Sequence, residues 1–226
     1  PDKHWDSFMD NFCKTFNIAR NKLTTQVDHY DNLTELFDII KRINTILIDL
    51  NADIWMYISI NYFKLKTISS EVGSSTMPHK VNPINFENSE GNLYMANGIL
   101  NVFSQKLPIS RYQRDLTDST ICRNFGAGFG YCLLAYESLI TGLNKLEINR
   151  PIIENDLDDN WSILTEAVQC VMKTENIDNA YEKVKNHSRG LEGGFTEDTY
   201  ISLVESLELT DENKKRLLNL TPTNYF

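Results

Sequence analysis

Punctuating residues are scarce in this 226-residue sequence. It has 10 glycines and 6 prolines, too few for a collagen-like or linker-like chain, and long stretches are left free to run as helix. No apolar run approaches the roughly 18 residues of a membrane span. The four cysteines, Cys13, Cys122, Cys132 and Cys170, form no C-x-x-C pair and lie far apart in apolar helical contexts. They are expected to be buried free thiols of a reducing compartment rather than disulfides or a metal site. Basic charge is short: 22 Lys and Arg against 31 Asp and Glu leave a net charge of −9, which argues against a nucleic-acid partner. His4, His29 and His187 have no neighbours at metal-ligand spacing, and a structural or surface role is expected for each. His79 is read as a structural donor before an acid or base. The first residues, P-D-K-H-W-D-S-F, lack a signal-peptide pattern, and the chain does not begin with Met.

What remains is 41% hydrophobic and 23% charged, the balance of an ordinary globular protein. Trp5, Phe8, Phe12, Phe16 and Ala19 recur at steps of three and four, predicting an amphipathic helix that ends before the polar stretch 21–26. From about Leu33 to Tyr62, Leu36, Ile40, Ile43, Leu47, Leu50, Ile54 and Tyr57 alternate steps of four and three, a heptad seam of near-parallel helix packing. A second apolar set, including Phe37, Ile39, Ile46 and Trp55, occupies other faces. A helix apolar on several sides needs more neighbours than one such chain supplies, so assembly through the bundle is expected. Another long helix runs from about Asn85 to Leu107, with Leu93, Ala96, Leu100, Phe103 and Leu107 on its seam and Pro108 stopping it. Thr117 or Asp118 is the expected N-cap of a helix reaching about Leu143. Gly126, Gly128 and Gly130 inside it would admit a neighbouring backbone or ligand. Pro151 begins a series of shorter helices: Pro151–Leu157, Asn160–Lys173, Asn179–Ser188, Thr196–Leu207 and Asp211–Leu218, with Thr196 as an N-cap. No convincing strand is found. The expected fold is all-α: a long-helix bundle over residues 1–145, then a small helical domain over 146–226.

The stretch Glu71–Asn92, E-V-G-S-S-T-M-P-H-K-V-N-P-I-N-F-E-N-S-E-G-N, fits neither helix nor strand periodicity over its first half. A polar connection of this length between long helices suits a lid or binding loop. A serine hydroxyl such as Ser74 becomes a useful base only where donors or positive charge stabilise its alkoxide; Gly73 and Lys80 could supply both. The alternative is a solvated loop. Lys80 and Asn82, before Pro83, could present one charge and one donor to a carboxylate, or could be a surface lysine beside a turn asparagine. Arg114, Ser119 and Arg123 cluster where a helix begins and could hold a phosphate; the alternative is arginines paired with Asp115 and Asp118. The window from Ser74 to Arg123 holds five basic and four acidic residues against 17 and 27 in the remainder. The acidity is therefore relieved where an anionic small molecule would bind.

G-S-S-T-M-P-H-K-V-N-P, Gly73 to Pro83, resembles the loop that marks the fumarase/aspartase superfamily. The continuation I-N-F-E-N-S-E-G-N and the later R-D-L-T-D-S-T-I-C-R-N resemble the bacterial-type adenylosuccinate lyases of that superfamily. The likeness runs from Thr24-Thr25-Gln26 to T-P-T-N-Y near the end. It implies a cytoplasmic homotetramer of long helices with active sites shared between subunits. The implied reaction is a β-elimination that needs no cofactor or metal: adenylosuccinate gives AMP and fumarate, and the related succinyl-aminoimidazole carboxamide ribotide likewise loses fumarate. Ser74 would be the general base, with Ser75 its nearest competitor. Lys80 and Asn82 would hold the succinyl carboxylates, Gln26 and Asn88 would contact the succinyl group or the base, and Arg114, Ser119 and Arg123 would bind the succinyl or nucleotide end. Family members carry an earlier region that supplies a general-acid histidine. The chain is therefore expected to be the C-terminal portion, inactive alone. Another superfamily lyase such as argininosuccinate lyase, or a helical assembly module, are the competing expectations.

Overall fold

The structure, a computed structural model, describes residues 4–66, 82–190 and 194–225. The loop serines and Lys80 fall outside them. The chain divides into two units, Pro1–Ser59 with Leu65–Leu146, and Ile60–Lys64 with Glu147–Phe226.

In the first unit, α1 (Trp5–Thr15) is followed by α2 (Asp31–Ser59), α3 (Ile84–Lys106), α4 (Thr117–Cys122) and α5 (Phe125–Lys145). α2 is 29 residues long, about 44 Å at 1.5 Å per residue. α3 packs against both α2 and α5. Its seam is the predicted one: Leu93, Ala96, Leu100, Phe103 and Leu107 are all buried. At one end Phe37, Phe103 and Phe125 meet with ring centroids 4.9–5.2 Å apart, tilted or edge-on as aromatic quadrupoles prefer. At the other end Ile54, Phe86 and Leu139 form a second cluster. A polar layer separates them. The Asn44 amide donates to Asn97 Oδ1 at 2.9 Å and its carbonyl oxygen accepts from Tyr136 Oη at 2.6 Å. Asn51 donates to Ser89 Oγ at 3.0 Å.

Four features of this unit differ from the sequence expectations. The buried residues of α2 are Phe37, Asn44, Asn51 and Ile54; Ile54 belongs to the expected seam, and the other three lie one position after Leu36, Ile43 and Leu50. Leu36, Ile43, Leu50 and Tyr57 remain exposed. α1 stops at Thr15 because Asn17 turns left-handed (φ 55°). Its N–H then bonds Lys14 O and that of Ile18 bonds Cys13 O, the paired closure of a Schellman end. α4 and α5 are separate, interrupted at Arg123 and Asn124. α4 starts at Thr117 with Leu116 before it and no side-chain cap from Thr117 or Asp118. Of the cysteines only Cys132 is buried; Cys170, in the second unit, is exposed. Gly128 packs against Phe103 of α3, whereas Gly126 and Gly130 face open space within the chain.

Strands β1 (Phe63–Leu65) and β2 (Leu146–Ile148) pair into a two-stranded sheet. Three residues are too short to display alternation, so neither was legible. The second unit contains α6 (Arg150–Asp158), α7 (Leu164–Thr174, entered through a 3-10 turn), α8 (Ala180–Ser188), α9 (Glu197–Ser206) and α10 (Asp211–Leu218). Its core gathers Leu164, Val168, Met172, Tyr200, Leu203 and Leu217. Tyr200 is buried there with its hydroxyl bonded to Leu217 O at 2.7 Å. Thr196 caps α9 reciprocally with Thr199, as a capping box does. Among the described residues no helix is long and apolar enough to cross a membrane.

Candidate functional site

The segment after Pro108 is organised by Asp115. Its carboxylate accepts from the Arg111 N–H at 3.0 Å, the Arg111 guanidinium at 3.1 Å and the Thr117 N–H at 3.1 Å. The Arg111 and Thr117 amides, with the guanidinium, hold this carboxyl well below the usual range. Asp115 thus does the work of a helix cap from two residues before α4. The sequence alternative paired Arg114 and Arg123 with the aspartates; the structure gives Asp115 to Arg111 instead, because Arg111 returns across a tight turn. Arg114 is exposed, and its side chain makes no ion pair among the described residues. Ser119, on α4, and Arg123, its C-cap, do come together, one turn apart, with Arg123 Nη2 3.4 Å from Ser119 Oγ. Both are exposed.

Beside them is a cavity of about 250 Å³ between 25–30 and 107–118, lined by Thr25, His29, Tyr30, Asp28, Asp115 and Asp118 among others. Its carboxylates outnumber its cations, and neither Arg114 nor Arg123 lines it. It does not suit an anion. Gln26 lies in the same segment and is exposed. Tyr30, which the sequence did not mark, and Asp118 connect these segments. Tyr30 Oη donates to Asp118 Oδ2 at 2.8 Å, and Asp118 Oδ1 accepts from the Ser119 N–H at 2.7 Å. Asp118 was expected as an N-cap or an arginine partner, not as the acceptor of a phenol, and Tyr30 carried no sequence signal.

The remaining described candidates are elsewhere. Asn82 is half-buried just ahead of α3, and Asn88 is exposed on its second turn. Asn92 Nδ2 donates to Asn88 O at 2.8 Å and to Asn88 Oδ1 at 3.1 Å. Asp118 shares its cavity with Leu107, at the far end of α3. At 1.5 Å per residue the rise from Asn88 to Leu107 is about 28 Å. One copy of this chain therefore brings Gln26, Ser119 and Arg123 to one end of α3 and leaves Asn82 and Asn88 at the other. Ser74, Ser75 and Lys80 lie outside the described residues. Among the described residues no cluster of His, Cys, Asp and Glu could hold a metal ion.

A family model described as adenylosuccinate lyase C-terminal matches residues 110–226, and one described as lyase matches residues 6–98. An adenylosuccinate lyase of Haemophilus influenzae is 49% identical over 225 residues, covering 100% of this chain and 49% of the relative. The counterpart in Escherichia coli is 48% identical over the same coverage. The chain spans about half the length of the curated relatives it matches. In fold it resembles a class II fumarase of Schistosoma mansoni, with a TM-score of 0.63 at 20% identity over 97% of this chain and 47% of that one. A second likeness is to a fumarate lyase:delta crystallin of Brucella melitensis, with a TM-score of 0.56 at 19% identity over 84% of this chain and 41% of the other.

Proposed function

The chain belongs to the adenylosuccinate lyase family, and on that premise we propose that it forms part of an enzyme releasing fumarate from adenylosuccinate by β-elimination. Succinyl-aminoimidazole carboxamide ribotide would be a second substrate. Residues 1–145 would belong to the central bundle and 146–226 to a small C-terminal domain. In the proposed reaction Ser74, or Ser75 beside it, removes the Cβ proton. Lys80 and Asn82 clamp the succinyl carboxylates and stabilise the doubly charged intermediate, where donors act most strongly. The amine leaves with a proton from a histidine in the part of the relatives' length that lies outside these residues. Acid–base groups suffice for each step, so the proposal includes no cofactor or metal. Gln26 and Asn88 contact the succinyl group or the base, and Arg114, Ser119 and Arg123 bind the succinyl or nucleotide end.

The observation that carries this reading is the separation of the candidate residues. Asn88 stands about 28 Å along α3 from Leu107, which shares a cavity with Asp118, the neighbour of Ser119, and with Thr25, the neighbour of Gln26. A small substrate can touch both groups only where different copies of the chain meet. An oligomer with shared sites, in this family a tetramer, is proposed on that ground. The uncovered apolar sides of α2 and α5 support it: Ile43 is 47% exposed and Leu133 is 58% exposed.

Two experiments test the proposal in the full-length enzyme. Ser74→Ala should reduce fumarate release by about a hundredfold or more, as loss of a general base does, with assembly intact. An unchanged rate would move the proton abstraction from Ser74 to Ser75, and a wild-type enzyme that assembles but releases no fumarate would indicate a helical assembly module instead. Mixing Asn88→Ala enzyme with Arg123→Ala enzyme, each impaired at low substrate concentration, should raise activity above that of either alone, since some hybrid sites receive both native residues. Hybrids that assemble but gain no activity would defeat the shared site.

A further inference from the structure

Seven non-glycine residues among those described have a left-handed φ. Four are asparagines, which tolerate it; the other three are Tyr30, Tyr112 and Gln113. An aromatic residue held in this region is under strain and persists only where its surroundings fix it. Tyr30 and Gln113 both line the cavity beside α4. Tyr30 is also the residue whose carbonyl accepts the Thr34 N–H at 2.8 Å and so begins α2. Its left-handed backbone turns the chain there, and its ring packs against the aromatic end of the bundle. Its hydroxyl reaches 88 positions along the sequence to Asp118. Asp118 is oriented by both oxygens, one receiving the phenol and the other the Ser119 N–H.

We propose that Tyr30 is a positioning residue: through Asp118 it holds the helix that bears Ser119 and ends at Arg123 in register with the segment bearing Gln26. The proposal rests on the reading of those three residues as substrate contacts. α4 is only six residues long and lacks a side-chain cap at its own N-cap position, so little within the helix resists its displacement. Asp115 ties it to the preceding turn, and Tyr30 ties it to the segment before α2. The charge-assisted bond also pushes the Tyr30 phenol up to about 12, with burial adding to the effect.

The test is a double-mutant cycle in the full-length enzyme, with Tyr30→Phe, Asp118→Asn and the pair. Tyr30→Phe keeps the ring and its packing. The expected result is a rise in KM of about tenfold, the size of one lost charge-assisted bond, with kcat within about twofold and Tm little changed. The pair should be no worse than the more impaired single variant. An unchanged KM, or effects of the two substitutions that multiply, would overturn the proposal. A wild-type enzyme that releases no fumarate from adenylosuccinate would instead overturn the reading of the activity. Amide exchange over residues 117–123 decides in that case: faster exchange in Tyr30→Phe supports the positioning role, and equal exchange overturns it.

Discussion

Asp115 gathers two backbone amides and a guanidinium, and its titration follows from that. Its folded value lies below the ordinary carboxylate value of about 4. The group's contribution to stability is then fully present above the unfolded value and is lost as pH falls through the folded one. Asp115→Asn should lower the Tm at pH 7, and the gap to wild type should narrow as pH drops below about 4. A gap that stays constant from pH 7 to pH 3 would show that charge is not what anchors the turn. Arg123 belongs to the same scale. It is exposed and its side chain hydrogen-bonds Ser119, so Arg123→Ala should leave Tm nearly unchanged while raising KM by about tenfold or more. Steady-state kinetics beside a thermal melt separate the two quantities. Arginine and serine at a spacing of four were readable as a pair because the helix period puts them on one face. That Arg111 rather than Arg114 takes the aspartate was not readable, since a left-handed Tyr112 leaves no composition signal.

Helices whose apolar residues meet neighbours in the same chain were the legible ones. On α3 Leu93, Ala96, Leu100, Phe103 and Leu107 follow the four-three rhythm and are buried. On α2 the buried row passes through Asn44 and Asn51, seven apart, and a hydrophobic count skips such residues. The row of leucines and isoleucines next to it was chosen instead, because it is apolar for a different reason. The break between α4 and α5 was equally hidden, since no proline or glycine marks Arg123 and Asn124. Nor did the sequence reading single out Gly142, where α5 crosses α3 closely. A Cβ added there would stand 2.8 Å from Phe86 Cζ and 3.1 Å from Asn85 Cβ. Phe86 is buried with Ile54 and Leu139, so the ring has little room to retreat. Gly142→Ala should destabilise the bundle by about 1–3 kcal/mol despite alanine's better helix propensity. Denaturant unfolding measures this, and a gain in stability would mean that the ring relaxes freely. Gly128→Ala meets Phe103 at 3.2 Å, a looser approach, and should cost less.

Over the whole molecule the distribution of apolar surface decides what the bundle is for. Leu36, Ile39, Ile43, Ile46 and Leu50 on α2, with Leu133, Leu134 and Ile140 on α5, are all exposed in a single chain. Ile43, Leu47, Phe129 and Leu133 also line an open apolar groove of about 550 Å³. Monomeric proteins seldom leave so much contiguous apolar surface in water, and burying it gains about 25 cal/mol per Å². The proposed subunit contacts would cover these helices and in the same act bring one copy's Asn88 toward another's Arg123. Assembly and activity should therefore fail together. Leu133→Glu places a carboxylate where a partner helix would lie, at a site whose exposure means the isolated fold tolerates it. The full-length variant should sediment as smaller species than wild type, keep its helical circular dichroism, and lose fumarate release in proportion to the lost assembly. Activity retained by dissociated subunits would separate the two, and the site would then have to be complete within one chain despite the length of α3.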